Sequence, residues 1–148
     1  LVVAGGRDGE LRAWDLRAAG GSVLRQSKLT HGWTVGRRVR AGALNSLASS
    51  ADGMKLHAAT EEGCVLTWDV RSLNSVFSSV RVGRALGSGV GMGNGASAEV
   101  VLAHPHIRSL ALVQLLCNKL AIVDTSEETI LSYCATLPAE GPTPPSDG

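Results

Sequence analysis

The chain has few of the residues that would place it in several functional classes. Among its 148 residues there are three Trp, one Tyr, one Phe and three Cys. Three cysteines without a C-x-x-C spacing argue against a disulfide framework and indicate a reducing compartment. We therefore expect an intracellular protein, nuclear, cytoplasmic or both. The longest apolar run, residues 110–117, is interrupted by Gln114, so no segment is predicted to span a bilayer.

Charge of one sign and catalytic signatures are missing as well. Lys and Arg total 14 against 13 Asp and Glu, a net charge of +1, so no overall field favours nucleic acid or an anionic membrane. The sequence contains no G-x-S-x-G or H-E-x-x-H motif and no Cys and His with a catalytic signature. His104-Pro105-His106 has no third or fourth ligand nearby, which favours an exposed turn over a metal site. We expect no enzymatic activity, no metal, no cofactor and no small-molecule substrate.

The sequence does contain a repeated four-residue motif. Trp14-Asp15-Leu16-Arg17 is echoed by Trp68-Asp69-Val70-Arg71. Six residues before each Trp stands the acid of an acid-Gly pair, Asp8-Gly9 in the first copy and Glu62-Gly63 in the second. A strand, a tight turn and a second strand ending in Trp-Asp predict a β-hairpin, and its repetition predicts an array of similar units.

A third, degraded copy follows. Val123-Asp124 stands where Trp-Asp stood, after an Asn118-Lys119 turn. From residue 14 to 68 and from 68 to 123 the intervals are 54 and 55 residues, longer than the roughly 40–45 residues of a typical blade repeat. Segments that read as loops, at 18–21, 32–42 and 83–98, account for the excess, because long surface insertions carry little entropic cost.

The alternation of apolar and polar residues predicts an all-β chain built of short strands. The predicted strands are 1–6, 10–16, 23–29, 44–49, 55–59, 64–70, 76–82, 99–103, 109–116, 119–123 and 129–135.

The two Trp-Asp hairpins resemble the WD40 repeat family, whose blades build β-propellers. The resemblance implies a partial propeller of about two to three antiparallel four-stranded blades, the first truncated and the third degenerate. Residues 1–137 would form this region, with a Gly-rich loop insert at 83–98, and the Pro-rich segment 138–148 would be a disordered tail or linker. Since propellers close with four to eight blades, we interpret the chain as part of a larger protein or a truncated gene product. The alternative is a small antiparallel sandwich with coincidental Trp-Asp dipeptides.

The resemblance also implies a buried hydrogen-bonded tetrad in each blade, which the sequence matches in part. Trp14 would go with Asp8, Trp68 with Glu62, and His31 would be the tetrad histidine of the second blade. The expected hydroxyl positions hold Ala4 and Ala58.

The arginine three residues after each Trp is the sharpest functional indication. Arg17 and Arg71, with Asp15 and Asp69 before them, complete W-D-x-R copies that are similar to the DWD box of cullin-4 ubiquitin ligase substrate receptors. That resemblance implies docking on the damaged-DNA-binding adaptor of the ligase, with each guanidinium pairing bidentately with a partner carboxylate. The alternative is a solvated arginine that caps its strand. If the arginines dock on the adaptor, the protein is a ligase substrate receptor. If they only cap strands, it is a WD-repeat subunit of another nuclear or cytoplasmic assembly, in RNA processing or trafficking, with no ligase link.

Two further segments have simpler interpretations. The Gly-rich residues 87–95 lack the G-x-G-x-x-G spacing and the following Lys-Ser/Thr of phosphate loops, so a flexible loop is favoured. The basic cluster Arg37-Arg38-Val39-Arg40, near Trp33, could contact phosphates or an acidic partner. The neutral overall charge favours a solvated loop, and nucleic acid is not an expected partner.

Overall fold

The computed structural model describes residues 1–17, 23–28, 32–34, 37–39, 42–73, 75–86, 96–116 and 118–135. Within them the chain is almost entirely β-structure, with one short helix. The elements are β1 (Val2–Gly5), β2 (Glu10–Trp14), β3 (Val23–Lys28), β4 (Gly32–Thr34), β5 (Arg37–Val39), β6 (Leu44–Ser49), β7 (Lys55–Thr60), β8 (Cys64–Asp69), β9 (Ser78–Arg81), α1 (Val82–Leu86), β10 (Ala98–Ala103), β11 (Leu110–Leu115), β12 (Lys119–Asp124) and β13 (Thr129–Ala135). No helix in this part of the chain is long and apolar enough to cross a membrane.

The strands form three antiparallel meanders and one separate hairpin. Among the described residues, the first sheet has the order β1-β2-β3, the second β6-β7-β8-β9 and the third β10-β11-β12-β13, while β4 pairs with β5. Every sheet joins strands that are consecutive in the sequence, because short turns permit only antiparallel neighbours. The prediction of an all-β chain of antiparallel meanders is confirmed, and within the described residues the first sheet has three strands.

Two apolar cores hold the three sheets against one another. The first core joins the first sheet to the second and contains Leu11, Leu66 and the fully buried Trp68. The second core joins the second sheet to the third and contains Val65, Val113 and other small aliphatic side chains. Because side chains alternate along a strand, Val65 and Leu66 of β8 point to opposite faces and supply different cores. The second sheet is therefore covered on both sides.

The predicted acid-Gly turns are present and explain their glycines. Gly9 and Gly63 have φ values of +75° and +73°, a backbone region in which a Cβ atom is strained. The carbonyl oxygen of Gly63 also accepts hydrogen bonds from the backbone N–H groups of Val82 and Gly83, at 2.9 and 2.8 Å. The turn between β7 and β8 is thus tied to the start of α1. In the degraded copy, Asn118 adopts φ +55° and performs the same role without glycine.

The structure differs from the predicted loops at two places. Within 32–42, predicted as a loop, β4 and β5 form a hairpin in which Trp33 stands opposite Arg38 in the register. Trp, Thr and Val favour strands, a tendency that the basic residues of this segment obscured. At the start of 83–98, the hydrogen bonds to Gly63 hold the chain in α1, and β9 is shorter than predicted. Residues 18–21, 87–95 and 138–148 lie outside the described residues.

Candidate partner-binding site

The second W-D-x-R copy forms a compact acid–base clamp at the end of β8. Oδ1 of Asp69 accepts a hydrogen bond from the backbone N–H of Arg71 at 2.8 Å. The side chain of Arg71 folds back on the same carboxylate, with Nε donating to Oδ1 at 3.1 Å and Nη2 donating to Oδ2 at 2.8 Å. The aspartate therefore closes the turn and fixes the arginine that follows it.

The first copy repeats this clamp at the end of β2. Asp15 accepts from the backbone N–H of Arg17 at 3.0 Å. Nε and Nη2 of Arg17 donate to the two carboxylate oxygens at 3.2 and 3.3 Å. Both guanidinium groups are exposed, with 90% of the Arg17 side chain and 73% of the Arg71 side chain accessible to solvent. The same sequence motif therefore produces the same exposed Asp–Arg clamp on two neighbouring sheets.

The degraded third copy retains the turn without the arginine. Asp124 accepts hydrogen bonds from the backbone N–H groups of Ser126 at 2.8 Å and Glu127 at 3.2 Å. Ser126 occupies the position that Arg17 and Arg71 hold in the other copies. The aspartate is thus the residue of the motif that forms the turn. The arginine is an addition that the turn does not require.

The clamps also determine the charge of the site. The hydrogen bonds from Arg71 lower the pKa of Asp69 to about 2, and those from Arg17 lower the pKa of Asp15. Both carboxylates are therefore ionised at neutral pH. The resemblance implies that each guanidinium fork pairs with a partner's carboxylate, whereas in this structure each fork holds a carboxylate of its own chain. In Arg17 these contacts use Nε and Nη2, so its Nη1 edge faces away from Asp15.

The residues assigned to the repeat framework lie in different environments. Trp68 is fully buried in the first core and Trp14 is half-buried. They occupy matching register positions, with Trp68 opposite Leu56 and Trp14 opposite Val2.

The turn acids stand at the opposite hairpin end from these tryptophans. Asp8 accepts a backbone hydrogen bond from Glu10 at 3.1 Å and a side-chain bond from Arg12 at 2.6 Å, so its carboxylate serves the first turn rather than Trp14. Glu62 lies in the corresponding turn, Glu61–Gly63, of the second sheet. His31, expected as the tetrad histidine, lies outside the described residues.

A buried polar pair that was not predicted from the sequence joins β7 to β8. His57 Nδ1 and Thr67 Oγ1 are 3.0 Å apart, and both residues are fully buried. His57 Nε2 completes no hydrogen bond of ordinary geometry. Burial lowers the pKa of His57, and the charge of Lys55 lowers it further, so the ring is neutral at pH 7. The sequence shows only that Thr67 immediately precedes Trp68; the register of β7 and β8 is needed to place it opposite His57.

The His-Pro-His segment forms a turn, as expected. Nδ1 of His104 accepts hydrogen bonds from the backbone N–H groups of His106 at 3.1 Å and Ile107 at 2.9 Å. The described residues contain no group of three or more His, Cys, Asp or Glu side chains arranged to hold a metal ion.

The three meanders, packed face to face through two cores, have the architecture of consecutive β-propeller blades. Among solved structures, the chain is similar to the β-propeller domain of Cps50 (Swd1) from Myceliophteria thermophila, with a TM-score of 0.62 and 21% identity. The match covers 87% of this chain and 33% of that one, so this chain spans about a third of the length of the propeller it matches. No protein-family model and no curated protein sequence matches the chain. The likeness establishes the fold.

Proposed function

We propose that this chain is a protein–protein interaction scaffold with no reaction of its own, and that it serves in the cell as a substrate receptor or adaptor subunit of a cullin-4 ubiquitin ligase. Arg17 and Arg71 would contact the damaged-DNA-binding adaptor of the ligase. Asp15 and Asp69 would be positioning residues that hold the two guanidinium groups in place.

One observation carries the proposal. Two neighbouring sheets present the same exposed Asp–Arg clamp at equivalent strand ends, through Asp15 with Arg17 and Asp69 with Arg71. A guanidinium that is already oriented loses less conformational entropy when a partner binds than a freely rotating one does. A repeated, oriented cation suits recognition of carboxylates on another protein. The similarity to a propeller fold supports the scaffold class but not this partner.

The second candidate is a WD-repeat subunit of another nuclear or cytoplasmic assembly. It is favoured by the exposure of both arginines, because an exposed ion pair contributes little to stability and can serve simply as a solvated strand cap. In that case the clamps would be dispensable for binding, and other surfaces would carry it.

A pull-down with the purified damaged-DNA-binding adaptor separates the two candidates. The variants are the double Arg17→Ala and Arg71→Ala change, the corresponding double Lys change, and Arg84→Ala as a matched control. Arg84 is an exposed arginine on α1, away from both clamps. If the clamps meet carboxylates at a desolvated interface, the double Ala change should weaken binding by about 30-fold or more. The double Lys change should also weaken it, because the planar fork is lost while the charge remains.

Each outcome has a defined meaning once circular dichroism has shown that the variants are folded. Weakened binding by both double variants, with Arg84→Ala unchanged, supports the ligase role and the site. Undiminished binding by a folded double Ala variant removes the site assignment. No binding by the wild-type chain removes the ligase role and leaves the general scaffold.

A further inference from the structure

The only phenylalanine of the chain is exposed. Phe77 lies just before β9, and 55% of its surface is accessible to solvent. Its backbone is held in place, because its N–H donates to the carbonyl oxygen of Thr67 at 2.7 Å. Aromatic side chains are the largest apolar groups available for burial, and this chain has few of them. An exposed ring on an ordered backbone is the kind of group that protein interfaces use as an anchor.

A lysine lies over this ring. Nζ of Lys55 is 4.6 Å from the centroid of Phe77, within the range of a cation–π interaction, and it is 3.3 Å from the hydroxyl oxygen of Ser126 on the third sheet. In the described part of the chain, Lys55 forms no ion pair. The ammonium is therefore held by a ring and a hydroxyl group, and its charge is not compensated by a carboxylate in direct contact.

Two more side chains extend this surface. Met54 is 48% exposed, and its carbonyl oxygen accepts a hydrogen bond from Val70, next to the clamp of Arg71, at 2.9 Å. Lys55 stands opposite Asp69 in the register of β7 and β8. Met54, Lys55, Arg71 and Phe77 thus form one surface at the end of the second sheet, which we call the Phe77 patch.

We infer that the Phe77 patch docks a segment of another protein in which a carboxylate adjoins an apolar side chain. The apolar group would cover Phe77 and Met54, and the carboxylate would meet the ammonium of Lys55. Charge complementarity decides the class of partner. The patch carries two cations, Lys55 and Arg71, beside one carboxylate, Asp69, whose charge interacts with both. The surplus of one positive charge suits one carboxylate, whereas a nucleic acid backbone needs several cations in a row.

This inference rests on the proposed scaffold function, and Arg71 is the one side chain that the patch shares with the ligase site. In the described part of the first sheet, the residue that precedes Val2, the partner of Trp14, is Leu1 rather than a lysine, so the Lys55 position is not repeated there. Changes to Arg17 test the ligase docking surface, and changes to Phe77 or Lys55 test the patch.

The test uses an array of synthetic peptides in which Asp or Glu flanks Leu, Ile or Phe at every spacing up to one helical turn. A matched array replaces the acids with Asn or Gln. The tightest binder is then titrated in solution by fluorescence anisotropy against the whole chain. We expect acidic peptides alone to bind, Phe77→Ala and Lys55→Gln each to weaken binding by about tenfold or more, and Lys55→Arg to retain most of it. Arg84→Ala, which removes an exposed arginine outside the patch, and Leu131→Ala, which removes another exposed apolar side chain, should leave the affinity unchanged.

Three results would overturn the inference. These are equal binding of the acidic and amide arrays, undiminished affinity in Phe77→Ala, or tighter binding of a single-stranded oligonucleotide of equal charge. Concentration-dependent self-association that Phe77→Ala abolishes, in the absence of peptide binding, would assign the patch to a second copy of the chain and also overturn it. If the wild-type chain binds the peptide but does not bind the adaptor in the pull-down, the ligase role alone is contradicted.

Discussion

The contact between the second hairpin turn and the chain around α1 yields a sharp prediction about stability. Gly63 has φ +73°, and a Cβ atom placed there would clash with the carbonyl oxygen of Ala96 and approach Cα of Gly83 to 2.8 Å. Gly53 has a similar φ of +67°, but a Cβ atom there would meet nothing within 4 Å. The two positions share the same backbone strain and differ only in crowding. Comparing their alanine variants therefore isolates the energy of the close approach.

The expected costs follow from these two terms. An alanine in the left-handed region costs roughly 1–2 kcal/mol, which is the full expected effect of Gly53→Ala. Gly63→Ala should add an overpacking cost of about 1–3 kcal/mol. Gly83→Ala meets the same oxygen of Ala96 and lies 2.8 Å from Cα of Gly63, without the φ strain. It should therefore show the steric cost, reduced by up to about 1 kcal/mol because alanine favours the helix.

Urea unfolding followed by circular dichroism measures all three variants. The unfolding midpoint should fall most for Gly63→Ala, while the slope stays constant, which indicates a change in stability alone. If Gly63→Ala is no less stable than Gly53→Ala, the turn does not pack against Ala96, and the reasoning is refuted. A large loss in Gly53→Ala would instead mean that this turn is more crowded than its surroundings indicate.

Three further predictions concern the two sheet interfaces. Burial lowers the folded-state pKa of His57, so as the pH falls the unfolded chain binds a proton at this residue before the folded chain does. The urea midpoint should therefore be constant above about pH 6.5 and decline below it. His57→Gln should flatten that decline. Thr67→Val should lose about 1–3 kcal/mol of unfolding free energy, because His57 Nδ1 would be left without its partner; an unchanged midpoint would contradict this pairing. Leu115→Ala should lower the unfolding free energy by about 2–5 kcal/mol, whereas Leu112→Ala, on the exposed face of β11, should lower it by less than about 1 kcal/mol. Equal losses would mean that the assignment of the two faces of β11 is wrong.

The order of strands could be read from the sequence because the governing signals are local. Gly9 and Gly63 mark tight turns, and alternation around Trp14 and Trp68 marks the strands that flank them. The pairing then follows with little freedom, because short turns leave each strand next to its predecessor. The third sheet was recognised in the same way from Val123-Asp124, although its turn uses Asn118 in place of glycine.

The parts that could not be read from the sequence depend on contacts between distant residues. The helix α1 forms where the carbonyl of Gly63, some twenty residues earlier, holds two N–H groups, and no local periodicity announces it. The His57–Thr67 pair requires knowledge of the register between β7 and β8. The Phe77 patch joins residues from β7 and the chain before β9, and its lysine reaches Ser126 on another sheet. The sequence pattern gives residue spacing, but not which side chains approach across strands.

The three aspartate turns suggest a last prediction, because the chain itself contains the control. Asp15, Asp69 and Asp124 each accept the backbone N–H of the residue two positions later, and that residue is Arg17, Arg71 or Ser126. Since the third turn forms with serine, the arginines are not needed for the fold. Changing Arg17 and Arg71 to Ser, after the pattern of the third copy, should shift the unfolding free energy by no more than about 0.5 kcal/mol per site.

The same double Ser variant should lose adaptor binding if the clamps are the docking groups. Changing Asp69 to Ala should weaken binding too, although Arg71 is retained, because the guanidinium loses the carboxylate that orients it and the turn loses its backbone acceptor. Thermal melts followed by circular dichroism, together with the adaptor pull-down, distinguish a structural role of the two arginines from a role in adaptor binding. Clear destabilisation by the double Ser change would show that the arginines are structural after all. A stable variant that still binds would leave them as solvated strand caps.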